Sequence, residues 1–375
     1  MNIRVPQFMP YVGMEEYEAI KSCFEDNWIT EGPKAAEFSD KLLEIIGSKY
    51  GVFAPNGTLS LYLALRAMGI GPGDEVIVPD FTFIASANAV EMVGARPVFA
   101  DVGCHDLQLR IDDCERVRTD KTRAIMPVHI FGFAADMTEI MAYAKEHDLM
   151  VIEDAAQALS INWDGKGCGS FGTTGSFSFF ADKTLTTCEG GFVTTDDEEI
   201  YNKLLLLRNQ GRMHRGTFTH PAIGYNFRIN DVQAAIGLAQ LKKLPEIVEK
   251  KQRNYNLYKE ALADVEEIEL LSPAEKVEPY VPFRVVLRTT QEHDTSDRLM
   301  GFMKMNGVEP RSFFYPLHLQ PCFDIWADDP RHNREHFDVA EHAYNHGVCL
   351  PSFAALTEKQ ILYVCDVIKE FYRKK

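Results

Sequence analysis

The chain has 375 residues, 46% hydrophobic and 25% charged, with a formal charge of −16. That is ordinary globular material, long enough for one large α/β domain and a smaller second one. The acidic balance argues against a nucleic-acid or anionic-membrane surface, since either needs a basic face and the only Lys/Arg block is the terminal "RKK".

The eight cysteines stand singly, without a CxxC pair, as reduced thiols of a cytosolic protein do. No metal site is expected. The opening "MNIRVPQFMPYVGMEEYEAI" has prolines and acids where a signal peptide needs an apolar core. No run reaches the roughly 18 apolar residues of a membrane span, so a soluble, cytoplasmic protein is expected.

In chain order, "GMEEYEAIKSCFEDNWI" and "AAEFSDKLLEII" have helical spacing, and "YGVFAPNG" reads as a strand ending in a turn. Helix "TLSLYLALRAMGI", strand "DEVIVPDF", helix "TFIASANAVEMVG" and strand "RPVFADV" follow. The alternation runs on through "TRAIMPVHIF", "MTEIMAYAKEHD" and "LMVIEDAA" to a hairpin around "FSFFADKTLTTCEGGFVTTDD". Short, continuously apolar strands separated by helices predict a three-layer α/β domain with a mostly parallel sheet. A charge-rich helix over about residues 230–265 leads to a second unit containing "YVPFRVVLRTT", "DRLMGFMKMNGVEPRSF" and a C-terminal helix. The expected division is a large domain over 1–245 and a small α+β domain over 246–375.

Three glycine or histidine patterns carry no chemistry. "GIGPGD" follows a helix and precedes a strand, the reverse of a dinucleotide loop. His332/His336 and His342/His346 lack a third ligand and read as surface histidines. "GKGCGSFG" has no following Lys-Ser/Thr and reads as a flexible loop.

Ligands of open α/β sheets sit at the carboxyl ends of strands, so polar residues that end apolar runs carry weight. "LMVIED" ends in Glu153-Asp154 with Gln157 one turn later, and Asn56-Gly57-Thr58 opens a helix whose free amides suit a phosphate. Taken alone, each is equally a helix cap. Lys183, in the turn of the hairpin, supplies the third piece. Together the three describe pyridoxal phosphate: a lysine to form a Schiff base, an acid for the pyridinium nitrogen, and a helix N-terminus for the phosphate.

"EDAAQAL", "SFSFFADKTLTTCEGGFVTTDD", "VPDFTFIASANAVEMVGARPVFADV", "PVHIFG" and "GYNFRINDVQAAIGLAQL" resemble, in this order, the nucleotide-sugar aminotransferases of the fold type I pyridoxal phosphate superfamily. The resemblance covers roughly residues 5 to 370. It implies an aspartate aminotransferase-like fold. By it, Lys183 matches the Schiff-base lysine and proton shuttle, Asp154 the pyridinium partner, and Gln157 a residue near the ring hydroxyl. Gly57, Thr58 and Ser178 match the phosphate cradle, and Phe83 falls where an aromatic ring stacks on the cofactor. Asn226 matches a residue that reaches the phosphate from a partner subunit, which implies a homodimer with shared sites.

Within the family the nearest likeness is to 4-aminotransferases of 4-keto-6-deoxy sugars. That implies L-glutamate as donor and a GDP-linked ketone as acceptor, feeding surface polysaccharide synthesis. A dTDP- or UDP-linked keto sugar, or a non-catalytic cofactor-binding regulator, are the alternatives. "FADK" stands where "FGNK" is more usual, and "EDAAQA" has glutamine where glutamate is frequent; both departures bear on the sugar. Arg212, Arg215, Arg228 and Arg311 are candidates for the pyrophosphate or donor carboxylate, because guanidinium forks suit both. His129 and His318 are candidate sugar contacts.

Overall fold

The structure of the chain, a computed structural model, describes residues 4–212, 216, 218–291, 295–326 and 328–373. Helices α1 (Met14–Glu25) and α2 (Pro33–Ile46) come first. Ala35, Phe38, Leu42 and Ile46 lie on one face of α2 and are buried, and the helix stops at Gly47, whose φ of 84° suits glycine. Its N-terminus is pinned from afar: the Asp231 carboxylate accepts from the amides of Gly32, Lys34 and Ala35.

The alternation expected from the sequence follows as β1 (Tyr50–Ala54), α3 (Gly57–Ala67), β2 (Glu75–Pro79), α4 (Ala85–Met92), β3 (Arg96–Ala100), α5 (Ile111–Val117), β4 (Thr122–Ile125), α6 (Met137–Glu146) and β5 (Met150–Asp154). A short hairpin, β6 (Asn162–Trp163) with β7 (Lys166–Gly167), precedes β8 (Thr174–Ser178), β9 (Gly191–Thr195) and α7 (Glu198–Arg208). The seven-stranded sheet has the order β1-β9-β8-β5-β4-β2-β3. Only β9 runs against its neighbours, and the pairs from β8 to β3 are parallel.

The strands are apolar throughout because both faces are covered. On β2, Val76 and Val78 enter the core under α3 and α4, while Ile77 enters the opposite core with Phe38 of α2 and Ile140 of α6. Val52 and Phe53 of β1 divide in the same way.

Helix α8 (Asp231–Ala261) starts with a capping box of Asn230 and Gln233 and runs past the expected 245/246 division into the second unit. That unit comprises β10 (Ile268–Leu270), β11 (Val285–Thr289), α9 (Ser296–Met305), β12 (Arg311–Ser312), α10 (Asp338–His346), β13 (Gly347–Leu350) and α11 (Glu358–Arg373). Its sheet has the order β10-β11-β13-β12, with every pair antiparallel. Val5 bridges to Val308 and shares the core of this second unit, so the N-terminal strand-like segment packs there and not on the large sheet.

Candidate active site

A cavity of about 440 Å³ lies where the carboxyl ends of β5 and β8 and the N-terminus of α3 meet the small sheet. Asn56, Gly57, Thr58, Phe83, Asp154, Gln157, Ser178 and Lys183 line it from the large unit. Phe283, Arg284, Arg311, Phe314 and Cys349 line it from the small one.

Lys183 sits on the loop 179–190 between β8 and β9. The threonines after it take over the backbone bonding that a strand would provide. Thr187 N–H and Thr186 Oγ1 both donate to the Phe179 carbonyl, Cys188 N–H donates to Thr186 Oγ1, and Thr187 Oγ1 donates to Glu189 O. Lys183 N–H closes a turn on Phe180 O at 3.0 Å. Its Nζ lies 3.8 Å from Asp182 Oδ1 and 4.5 Å from the centre of the Phe283 ring. Burial pushes the pKa of this amine down; Asp182 and Asp154 oppose the shift, while Arg284 and Arg311 reinforce it. The neutral, nucleophilic amine is thereby favoured relative to an ordinary lysine.

Asp154 ends β5 and is 6% exposed. Ser86 Oγ of α4 donates to its Oδ2 at 2.8 Å, and Ala156 N–H to its Oδ1 at 3.1 Å. Burial raises its pKa, while those two donors and the nearby Lys183 pull the other way. A cation brought to this point of the cavity adds to that pull.

Glu153, one residue earlier, points to the other face of the sheet. It accepts from the amides of Gly169, Phe171 and Gly172 and from His129. The glycine-rich "GKGCGSFG" thus wraps an internal carboxylate.

At the start of α3, the Asn56 side chain takes the Leu59 amide and the Asn56 carbonyl takes that of Ser60. The Gly57 and Thr58 amides are left, among the described residues, without a protein acceptor. A Cβ on Gly57 would lie 2.8 Å from Ser178 Cβ, so only glycine lets the helix start this close to the end of β8. Gln157 Oε1 accepts from Phe131 N–H at 2.6 Å, which holds Phe131 at a φ of 57°. Phe83 is exposed at the cavity, edge-on to Phe314 with ring centres 6.1 Å apart.

The fold therefore brings together Lys183, Asp154, Gly57, Thr58, Ser178, Phe83, Gln157 and Arg311. His129 and His318 are corrected. His129 is fully buried under the sheet, where Ala135 N–H donates to Nδ1, so the proton sits on Nε2 and goes to Glu153. The His318 side chain is 2% exposed, with Nδ1 on Asp80 and Nε2 on Glu341. Neither ring has an atom to offer a sugar.

Arg212 and Arg228 do not line the cavity of their own chain; both donate to Asn209 Oδ1, beside the bridge from Asn209 to exposed Asn226. Arg215 lies outside the described residues. His332 is also no surface residue, since it stacks on Phe99 and accepts from the Phe99 amide.

Ser86, Asp182 and Arg284 are further cavity or carboxylate partners that the sequence did not single out, and none of them carries a local signal. A second groove of about 460 Å³, between Cys104, Arg288 and His342, lies away from all these residues. Among the described residues no helix is long and apolar enough to cross a membrane, and no group of three or more His, Cys, Asp or Glu is placed to hold a metal ion.

Known proteins share this architecture. The chain is 36% identical to GDP-perosamine synthase of Escherichia coli O157:H7 over 372 residues, 99% of each chain. It is 40% identical over 326 residues to the UDP-N-acetyl-3-dehydro-alpha-D-glucosamine 3-aminotransferase of Acidithiobacillus ferrooxidans, covering 86% of this chain and 84% of that one. The structure of S. venezuelae DesV, solved in complex with a ketimine intermediate, superposes with a TM-score of 0.90 at 30% identity over 98% of both chains. The profile of the DegT/DnrJ/EryC1/StrS aminotransferase family matches residues 10–369. With that span and these relatives, the chain belongs to the DegT/DnrJ/EryC1/StrS aminotransferase family and is a sugar aminotransferase.

Proposed function

We propose that this enzyme uses pyridoxal phosphate on Lys183 to move the amino group of L-glutamate to the keto carbon of GDP-4-keto-6-deoxy-mannose, giving GDP-perosamine for surface polysaccharide such as O-antigen. One observation carries the cofactor reading: a half-buried lysine amine, a buried strand-end carboxylate and a glycine-opened helix N-terminus line one cavity. The residues present fit the group. Asp154, buried with two donors and a raised pKa, lacks only a cation, which a protonated ring nitrogen provides. The two spare amides of α3, with the Thr58 and Ser178 hydroxyls, suit a phosphate. Phe83 offers a ring face at the cavity wall, and Gln157, fixed through its carbonyl, leaves its amino end for the ring oxygen.

Bound there, pyridoxal phosphate supplies an electron sink for the pair left when a proton leaves the donor carbon. The chain's own groups do the rest. Lys183, whose burial favours the neutral amine, takes that proton and returns it in the second half-reaction. Asp154 stays ionised and holds the ring nitrogen protonated. Phe83, Phe131 and Phe314 wall the cavity and limit water.

The GDP-linked acceptor is supported by a perosamine synthase that matches over the full length. The UDP-sugar 3-aminotransferase, at higher identity over a shorter span, favours a UDP-linked ketone as the second reading. A cytoplasmic homodimer completes the proposal. Asn226 lies exposed beside Arg212 and Arg228 and outside its own cavity, as a residue serving a partner's site would.

The test is to incubate the cofactor-loaded protein with L-glutamate and GDP-, dTDP- and UDP-linked 4-keto-6-deoxy sugars, plus a UDP-linked 3-keto sugar, and to identify products by mass spectrometry. Amination of the GDP-mannose-derived ketone in clear preference is expected. Preference for a UDP- or dTDP-linked ketone would replace the acceptor assignment.

A further inference from the structure

The chain crosses between the two units twice beside the cavity. After β12 it leaves the small sheet: Phe313 still shares a core with Val286 and Cys349, whereas Leu317 and Phe323 lie in the core under α3 and α4 of the large unit. It returns after Phe337 of that core, when Ala340 and Ala343 of α10 rejoin Val286 and Cys349.

His318 touches both crossings. At the outgoing one, Leu317 N–H donates to Asp80 O at 2.9 Å, and the His318 amide and Nδ1 reach the two Asp80 carboxylate oxygens at 2.7 Å each. At the returning one, His318 Nε2 lies 3.3 Å from Glu341 Oε1 of α10, and the ring stacks on Phe337 with centres 4.3 Å apart. Asp101, just after β3, accepts from the Val339 and Ala340 amides and seats the start of the same helix.

This geometry fixes the charge of the ring. An ionised carboxylate only accepts, so a ring whose two nitrogens each face one must donate from both, which is the imidazolium form. Burial alone lowers the pKa of His318, but its bonds to Asp80 and Glu341 and their charges outweigh that and raise it. Burial pushes the fully buried Asp80 up in turn, and His318 opposes the shift. The other charged or titratable neighbours are Asp101 beside Asp80, Arg334 on Glu341, His332, and Arg116 over the Phe337 ring.

Both crossings bear on the cavity. Asp80 precedes Phe83 by three residues, and His318 follows Phe314 by four. Phe83 and Phe314 meet edge-on at the cavity wall, and buried Phe81 packs on both Phe313 and Phe314. A shift between Asp80 and His318 therefore moves one wall ring relative to the other.

We propose that His318 is a positioning residue: clamped between Asp80 and Glu341, it pins both crossings and thereby holds Phe83 and Phe314 in register at the cofactor cavity. The clamp stands on its own geometry, and its role in the cavity rests on the cofactor reading above. Protonated, the ring serves both carboxylates. As pH rises through its raised pKa it keeps one donor, so one carboxylate loses its partner and the clamp loosens on the alkaline side.

The test uses Glu341→Gln, which keeps an oxygen for Nε2 and removes the charge. ¹⁵N NMR of the histidine rings should show both His318 nitrogens protonated at neutral pH in the parent, and loss of the proton at least about one pH unit lower in the variant. Between the two transitions, hydrogen exchange of segments 80–86 and 313–319, read by mass spectrometry, should be at least about threefold faster in the variant, with pyridoxal phosphate affinity lower by at least about threefold. Below both transitions the two proteins should agree, which a merely structural contact would not produce. His318→Asn keeps a donor for Asp80 and offers none to Glu341. It should exchange faster than the parent below the parent's transition and match it above.

An unprotonated His318 nitrogen in the parent at neutral pH, exchange that ignores the ring's transition, or exchange that follows it while cofactor affinity stays within about twofold would each overturn the proposal. If the parent takes up no pyridoxal phosphate, the cofactor reading falls and this role with it; the exchange result then separates a failed clamp from a failed cofactor assignment.

Discussion

Lys183 owes its character to neighbours that pull in opposite directions. Burial disfavours its charged form, and the adjacent Asp182 is the largest influence opposing that. Asp182→Asn removes this opposition and leaves Arg284, a second cation, uncompensated nearby. The Lys183 amine of the cofactor-free variant should therefore titrate at lower pH than in the parent, measured by NMR on ¹³C-methylated lysines. An unchanged or raised value would show that Asp182 does not act on the amine. Asp154 and Gly57 were legible in sequence because each stands at the end of a regular element, and Lys183 because it interrupts a hairpin of two strand-like runs. Ser86 and Arg284 were not. They meet Asp154 and Asp182 across 68 and 102 residues of chain, and only tertiary packing brings them together. His129 and His318 were misread because a histidine after an apolar run looks the same whether it faces a cavity or a buried carboxylate.

Among elements, α3 carries the tightest geometric demand. Gly57→Ala would drive a Cβ to 2.8 Å from Ser178 Cβ and 3.1 Å from its Oγ, forcing the first turn of α3 away from β8. An overpacking cost of about 1–3 kcal/mol is expected in thermal or urea unfolding. Pyridoxal phosphate affinity should fall at least about tenfold with it, because the same shift moves both spare amides. Affinity equal to the parent's would remove the phosphate from this helix.

α8 makes a different prediction through Lys251, whose amine burial pushes down to about 7. Its value in the unfolded chain is near 10.5, so between about pH 7 and 10.5 the unfolded chain binds more protons than the folded one. This group therefore makes stability rise with pH in that window, by up to about 1.4 kcal/mol per unit. Lys251→Met should flatten that part of the stability-pH curve, and an unaltered slope would contradict the assignment.

Most helices and strands of the large unit were readable from periodicity, but α7 was not. Its "LLLL" run blurs a pattern in which only Ile200, Leu204 and Leu207 are buried. The expected strand "TRAIMPVHIF" ends as β4 at Ile125, because Pro127 has no amide for the ladder; pairing with β5 resumes only as the bridge from Val128 to Asp154.

For the whole molecule, the formal charge of −16 coexists with a cavity lined by Lys183, Arg284 and Arg311 as well as by Asp154, Asp182 and Glu189, so net charge does not describe the site. Phe24, Trp28 and Ile29, near the start of the chain, are exposed apolar side chains that the proposed second copy could cover. If Asn226 serves the partner's cavity, mixing Lys183→Ala with Asn226→Ala subunits restores activity, since one site per mixed dimer then has both residues. No gain over the separate variants would place Asn226 in its own subunit's site or out of the chemistry. The division into units was readable only coarsely, because α8 runs through it without a break and Val5 joins the distant unit.

Lys183 is the amine proposed to carry the cofactor, and a rival lies close by. Lys251 is 5% exposed, has a pKa near 7 and belongs to the same charge cluster. Borohydride reduction of the pyridoxal phosphate-loaded protein, followed by digestion and peptide mass spectrometry, distinguishes the two directly. The reduced adduct is predicted on the peptide containing Lys183; an adduct on Lys251, or on no single lysine, would contradict the assignment of Lys183.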